Sequence, residues 1–157
     1  MKTRFVPILA LLLIITPTGC RHKQDSLLQV TSMQIGSERF DLEMAISPHD
    51  QEVGLMHRDS LDSDHGMIFI NSEEKPQTFW NHDTHFPLDL IFLDAGAHVV
   101  SLKHLDAYSE KVVPSDAPAQ YVIELNAGTA ARLNVKVGDR LDLPKDVLSS
   151  ASQPSSH

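Results

Sequence analysis

A single, mainly β domain, built as a β-sandwich or open barrel with two short helices, is predicted by three features of the chain. Apolar and polar residues alternate from Phe40 to Ile46, the period of a strand with one buried face. Two apolar runs, Leu88 to Leu93 and Tyr121 to Leu125, have the length of buried strands rather than helices. Turn signals punctuate the chain, above all Asp94-Ala95-Gly96 and Gly138-Asp139. A length of 157 residues leaves room for one domain and hardly for two. A composition of 41% hydrophobic and 22% charged residues excludes long disorder as the main state.

The first elements concern location. Lys2 and Arg4 precede an apolar run from Phe5 to Ile15, followed by Thr16-Pro17-Thr18-Gly19-Cys20. A basic start, a short apolar core and small residues before a break make a secretory signal peptide. The run is too short for a spanning helix, which needs about 20 residues. The chain's single cysteine, Cys20, directly follows Gly19, and this arrangement resembles a bacterial lipoprotein signal, in which the cysteine is lipidated. Pro17 stands where such signals usually carry an aliphatic residue. Residues 1–19 are therefore expected to be a signal peptide, 20–27 a tether, 28–147 the folded domain and 148–157 a disordered tail. Loss of Lys2 and Arg4 would leave 11 basic residues against 21 acidic ones, a balance of −10 instead of −8. That excess disfavours both nucleic acid and anionic head groups as partners, so membrane attachment would rest on the lipid.

Within the domain, Ser47, Pro48 and Asp50 form a helix start: a capping serine, proline at the first helical position and an acid in the first turn. That helix is expected to reach about Met56. Arg58 to Gly66 reads as a polar loop, Met67 to Ile70 as a short buried strand and Thr78 to Trp80 as another. Leu88 to Leu93 and Val99 to Leu105 form a hairpin around the Asp94 turn. Val112 to Pro118, interrupted by prolines, reads as a loop or edge. Tyr121 to Leu125 is a strand, and Gly128 to Leu133 is the second helix.

Candidate chemistry is sparse. His82, Asp83 and His85 are ligand types for zinc, copper or nickel, but neighbouring side chains on an extended segment point to opposite faces. A polar surface loop accounts for them without a metal, so His82 and His85 are weak metal candidates and no cofactor is expected. Asp89 and Asp94 flank an apolar strand, where aspartates commonly cap turns. No Gly-x-Ser-x-Gly elbow or glycine-rich phosphate loop occurs, and no catalytic residue is assigned. Trp80, the one tryptophan, stands beside polar groups, the usual make-up of a recognition site. Arg58, Trp80, Asp83 and Thr84 are the candidate ligand-binding residues.

Several blocks carry a family resemblance: Gly54-Leu55-Met56 with Arg58 and Leu61, Gly66-Met67-Ile68-Phe69, Phe79-Trp80, and Pro87 to Asp94. Tyr121-Val122-Ile123-Glu124-Leu125, Ala127-Gly128-Thr129 and Val137-Gly138-Asp139 continue the series. In this order they resemble the family called domain of unknown function 192. The resemblance implies a compact β-sandwich-like domain, often secreted or lipid-anchored in bacteria, and no established activity. One block departs from the pattern: Asn81-His82-Asp83-Thr84 stands where the family usually has Met-Lys-Asn-Thr, so no role of that lysine carries over.

The functional expectation is a non-enzymatic binding or accessory protein, lipid-anchored in the bacterial envelope and facing the periplasm. Its partners would be the membrane, through the lipid, and an envelope protein or small ligand. Arg21 follows the cysteine in place of an inner-membrane retention aspartate, which favours the outer membrane. The rivals are a metal-dependent or hydrolytic enzyme using the His82 to His85 region, and a purely structural component.

Overall fold

The computed structural model describes residues 28–152. The expected signal peptide, Cys20 and the tether fall outside the described residues, as does the tail from residue 153.

Strands β1 (Val30–Ile35) and β2 (Glu38–Ala45) form an antiparallel hairpin. It turns at Gly36, whose φ of 57° lies in the left-handed region that glycine enters without a Cβ clash. Helix α1 (Pro48–Val53) starts as expected: Ser47 accepts from the Asp50 amide, and the Asp50 carboxylate accepts from the Ser47 amide. It ends at Val53, short of Met56, because Gly54 leaves the helix with φ 49° and ψ −128°. Strand β3 (His65–Lys75) then returns parallel to β2. Next come β4 (Thr78–Phe79), the hairpin of β5 (Leu88–Leu93) and β6 (Val99–Leu105), β7 (Val113–Pro114) and β8 (Ala119–Asn126). Helices α2 (Thr129–Arg132) and α3 (Lys145–Ala151) complete the domain.

Six strands make one mixed sheet in the order β1-β2-β3-β8-β5-β6, while β4 and β7 pair as a separate ribbon. The fold is mainly β and open, not a closed barrel. Alternation sorts the core onto two faces. Phe40, Leu42, Ile68, Ile91 and Ile123 pack on the side of α2 and α3. Met67, Phe69, Leu88, Leu90, Phe92 and Val122 pack on the other, under Leu55, Phe86 and the ribbon. There Phe79 stands edge-on to Phe69 at 4.9 Å and to Phe92 at 5.6 Å, the favoured geometry for aromatic pairs.

Two expectations need correction. Among the described residues three helices form, not two, and the folded unit does not stop at residue 147. Val147 and Ala151, one helical turn apart on α3, are both buried, so residues expected in a disordered tail are ordered through Ala151. A run of serines with a single apolar pair hid that helix. Likewise β3 has eleven residues where four were expected, because its far end, Asn71 to Lys75, is polar and shows no apolar period.

Candidate functional site

A sheet covered on both faces has no solvated side, so polar residues at alternate positions are buried with the rest. Glu43 on β2 and Glu124 on β8 are 7% and 4% exposed. Both pair in register with Met67 of β3, so the three side chains form one row across the same face, with Leu90 of β5 beyond Glu124. Arg58, from the loop after α1, neutralises one end of this row. Its guanidinium holds Glu43 through two hydrogen bonds, of 2.5 and 2.8 Å, in a largely buried bidentate pair. Glu124 receives only the field of that arginine. Among the described residues no hydrogen bond reaches its carboxyl, and burial pushes its pKa up to about 8, against the opposing pull of Arg58.

Glu124 lies at the base of a cavity of about 200 Å³. One wall comes from α1 and its exit, with Gln51, Glu52, Gly54, Leu55 and Met56. The opposite wall comes from the ribbon and the segment after it, with Gln77, Thr78, Phe79, Trp80, Asn81, His82 and Thr84; Phe69 and Asn71 of β3 complete the lining. Gly54 is required where it stands. A Cβ there would meet the Phe69 ring edge at 3.4 Å on a backbone with positive φ.

The 81–86 loop is tied down from below. Asn81, 1% exposed, donates its side-chain amide to the carbonyls of Phe86 and Asp106, both at 2.9 Å, and its backbone amide to Ser109. Asp83 has φ 46°, and its carbonyl accepts from the amide of His57, which also has positive φ. Thr84 is buried and bonds the His82 carbonyl at 3.2 Å. On this base Trp80, 45% exposed, stacks on the His82 ring at 4.9 Å. His82 Nδ1 lies 2.6 Å from Glu110, and that hydrogen bond raises the His82 pKa, helped by the negative charges of Asp83 and Glu110.

The four expected ligand-binding residues therefore divide. Trp80 and Thr84 line the cavity; Arg58 and Asp83 do not. Arg58 acts behind the wall on Glu43 and Glu124, and Asp83 sits at the exposed turn of the loop. The two histidines separate as well. His82 faces Glu110, whereas His85 is 3.0 Å from Asp59 and stacks on Tyr108 at 5.0 Å. Among the described residues no group of three or more histidines, cysteines and carboxylates gathers in a way that could hold a metal ion. Asp89 accepts from the Ala130 amide at the start of α2, and Asp94 accepts from the His98 amide within its turn, so both serve as caps.

Comparison with known proteins places this geometry. The DUF192 family, described as an uncharacterized ACR, matches residues 30–143, which includes every wall of the cavity. The chain belongs to the DUF192 family. A crystal structure from Sinorhizobium meliloti 1021, provisionally named a transcription regulator, is 37% identical with a TM-score of 0.63 over 72% of this chain and 90% of that one. A protein of unknown function from Novosphingobium aromaticivorans DSM 12444 is 34% identical with a TM-score of 0.69, covering 76% of this chain and 89% of that one. No protein of curated function matches.

Sequence reasoning found the rim of the DUF192 cavity and missed its floor. Glu43 occupies an alternate strand position that reads as solvent-facing, and Glu124 lies inside an apolar run to which no site was assigned. The available signal was a glutamate inside Tyr121 to Leu125, a run too apolar to have a wet face.

Proposed function

We propose that this DUF192 protein is a lipid-anchored envelope protein whose domain binds a small ligand in the cavity between α1 and Trp80. The observation that carries the binding reading is Glu124: a carboxyl 4% exposed, opening into the cavity and without a hydrogen-bond partner among the described residues. Its carboxyl faces the cavity instead of a protein partner, and a polar group turned into a walled cavity is a place for a ligand atom. Trp80 supplies the apolar face, and Thr84, Gln77 and Asn71 supply polar groups around it. The lipid anchor rests on Cys20, directly after Gly19 at the end of an apolar signal.

Enzymatic use has one supporting observation, since a carboxylic acid titrating near neutral pH suits a general acid. Its neighbour His82 is engaged by Glu110 and Trp80, however, which leaves binding as the better-supported reading. The transcription role in the Sinorhizobium protein's name gains no support from a chain of net charge −8.

The test is a titration of the 15N-labelled protein with a library of small polar compounds, followed by amide shifts. Shifts confined to α1, residues 77–84 and Glu124 are expected for at least one compound. Binders whose shifts map to the α2 and α3 face would refute this site.

A further inference from the structure

We propose that the cavity takes a small organic ammonium ion, a primary amine in its protonated form, with Glu124 as its counter-ion and Trp80 as its aromatic face. The inference rests on the binding reading above and adds the charge of the ligand. Three ionisable groups lie together under the cavity: Glu124, which is buried and lines it, and behind it the buried Glu43 with the half-buried Arg58. The arginine is committed to Glu43 by both arms of its guanidinium, so Glu124 feels its field but has no hydrogen-bonded cation among the described residues.

The walls repeat the imbalance. The described residues that line the cavity include two carboxylates, Glu52 and Glu124, and neither lysine nor arginine. A buried carboxylate without a cation holds a proton instead, as its raised titration near 8 reflects. An incoming ammonium ion supplies the missing charge. The Glu124 carboxyl then releases its proton to solvent, and the ammonium hydrogens bond the carboxylate formed. The exposed indole of Trp80 offers its negative face to the cation or to the adjoining methylenes. A volume of about 200 Å³ lies below the roughly 300–1,000 Å³ of drug-sized sites, so the ligand is small.

The charged and titratable groups around Glu124 are Arg58, Glu43, Glu52 on the α1 wall and His82 on the opposite wall. His82 is held protonated by Glu110 to a higher pH than an ordinary histidine, so its loss of charge on alkalinisation favours a cation in the same direction as ionisation of Glu124.

Benzylamine and benzyl alcohol, matched in shape and different in charge, test the proposal on the full chain. Trp80, the single tryptophan, reports binding by its fluorescence. Benzylamine is expected to bind at pH 8 at least roughly tenfold more tightly than the alcohol. Its affinity should weaken by up to about tenfold per unit as the pH falls below the Glu124 value. Calorimetry in two buffers of different ionisation enthalpy should show about one proton released per amine bound at pH 6.5. Glu124→Gln, which keeps the side chain's shape, should abolish both the preference and the release. Equal binding of amine and alcohol, or a preference that survives Glu124→Gln, overturns the ammonium proposal and leaves the cavity reading standing. Silence from both ligands, in fluorescence and calorimetry, overturns the two together.

Discussion

Replacing Glu124 by glutamine should make the protein more stable, and increasingly so as the pH rises. In the unfolded chain this carboxyl titrates near the ordinary glutamate value of 4.5; in the folded protein burial holds its proton to about 8. Below 4.5 both states are protonated, and above 8 both are ionised. Between them the folded state carries the extra proton, so stability falls as pH rises, by about 1.4 kcal/mol per unit. Across that window of roughly 3.5 units the loss reaches roughly 5 kcal/mol, an upper figure for a group whose neighbours relax. Glutamine has no proton to lose and removes the slope. Urea denaturation of both proteins at pH 5, 6, 7, 8 and 9 measures it. The advantage of Glu124→Gln should be small at pH 5 and grow to several kcal/mol by pH 8, about 3–5 °C in Tm for each kcal/mol. His82 and the other titrating groups contribute to both curves and cancel in the difference. A difference that stays flat with pH would refute the reasoning, because Glu124 would then be ionised and hydrated in the folded state.

Other substitutions divide along the same lines. Arg58→Met removes the bidentate guanidinium from Glu43 and should cost up to about 3–5 kcal/mol in chemical denaturation, with Glu43→Gln recovering part of the loss. Trp80→Ala should cost only about 1–2 kcal/mol, less than the roughly 3–5 kcal/mol of a core aromatic, because 45% of the residue is already exposed; loss of ligand response in calorimetry is its main effect. His82→Ala with His85→Ala should keep the fold. The raised pKa of His82 makes its contribution complete below 6.5 and lost as pH climbs through the folded value, so denaturation at pH 5.5 should separate double mutant and wild type more than at pH 8.5. Stoichiometric zinc or copper in the wild type, absent from that double mutant, would favour the metalloenzyme instead. Cys20→Ser should move the protein from the membrane fraction to the soluble one, and radioactive palmitate should label the wild type alone.

The legibility of the sequence followed the wetness of each segment. Leu88 to Leu93 and Val99 to Leu105 are strands at the expected residues, because a continuous apolar run bounded by Asp94-Ala95-Gly96 has few other readings. The α1 start was equally plain, since Ser47, Pro48 and Asp50 are bonded to one another and need no tertiary context. Strand β1 was hidden because Val30 faces solvent while Thr31 faces inward, which breaks the apolar alternation. At the site, Trp80 and Thr84 were recognisable as an aromatic with polar company. Glu124 was not, because periodicity gives the face a residue occupies and says nothing of whether that face is covered. Only the ribbon and α1, folded over the sheet, turn an alternate position into the floor of a cavity.

The position of β8 carries a consequence for how the protein is made. It lies between β3 and β5, yet it is the last of the described strands. Until residue 126 has been synthesised, the growing polypeptide holds two separate strand groups, β1-β2-β3 and β5-β6. Each ends on a strongly apolar strand with unpaired amides and carbonyls, the surface most prone to pair with another copy. Stable tertiary structure therefore waits for a nearly finished chain, and synthesis alone imposes no early folded block, which suits the export that the proposed lipid anchor would require. The glutamate at the floor of the cavity arrives on that closing strand, so a prematurely terminated product has no site at all.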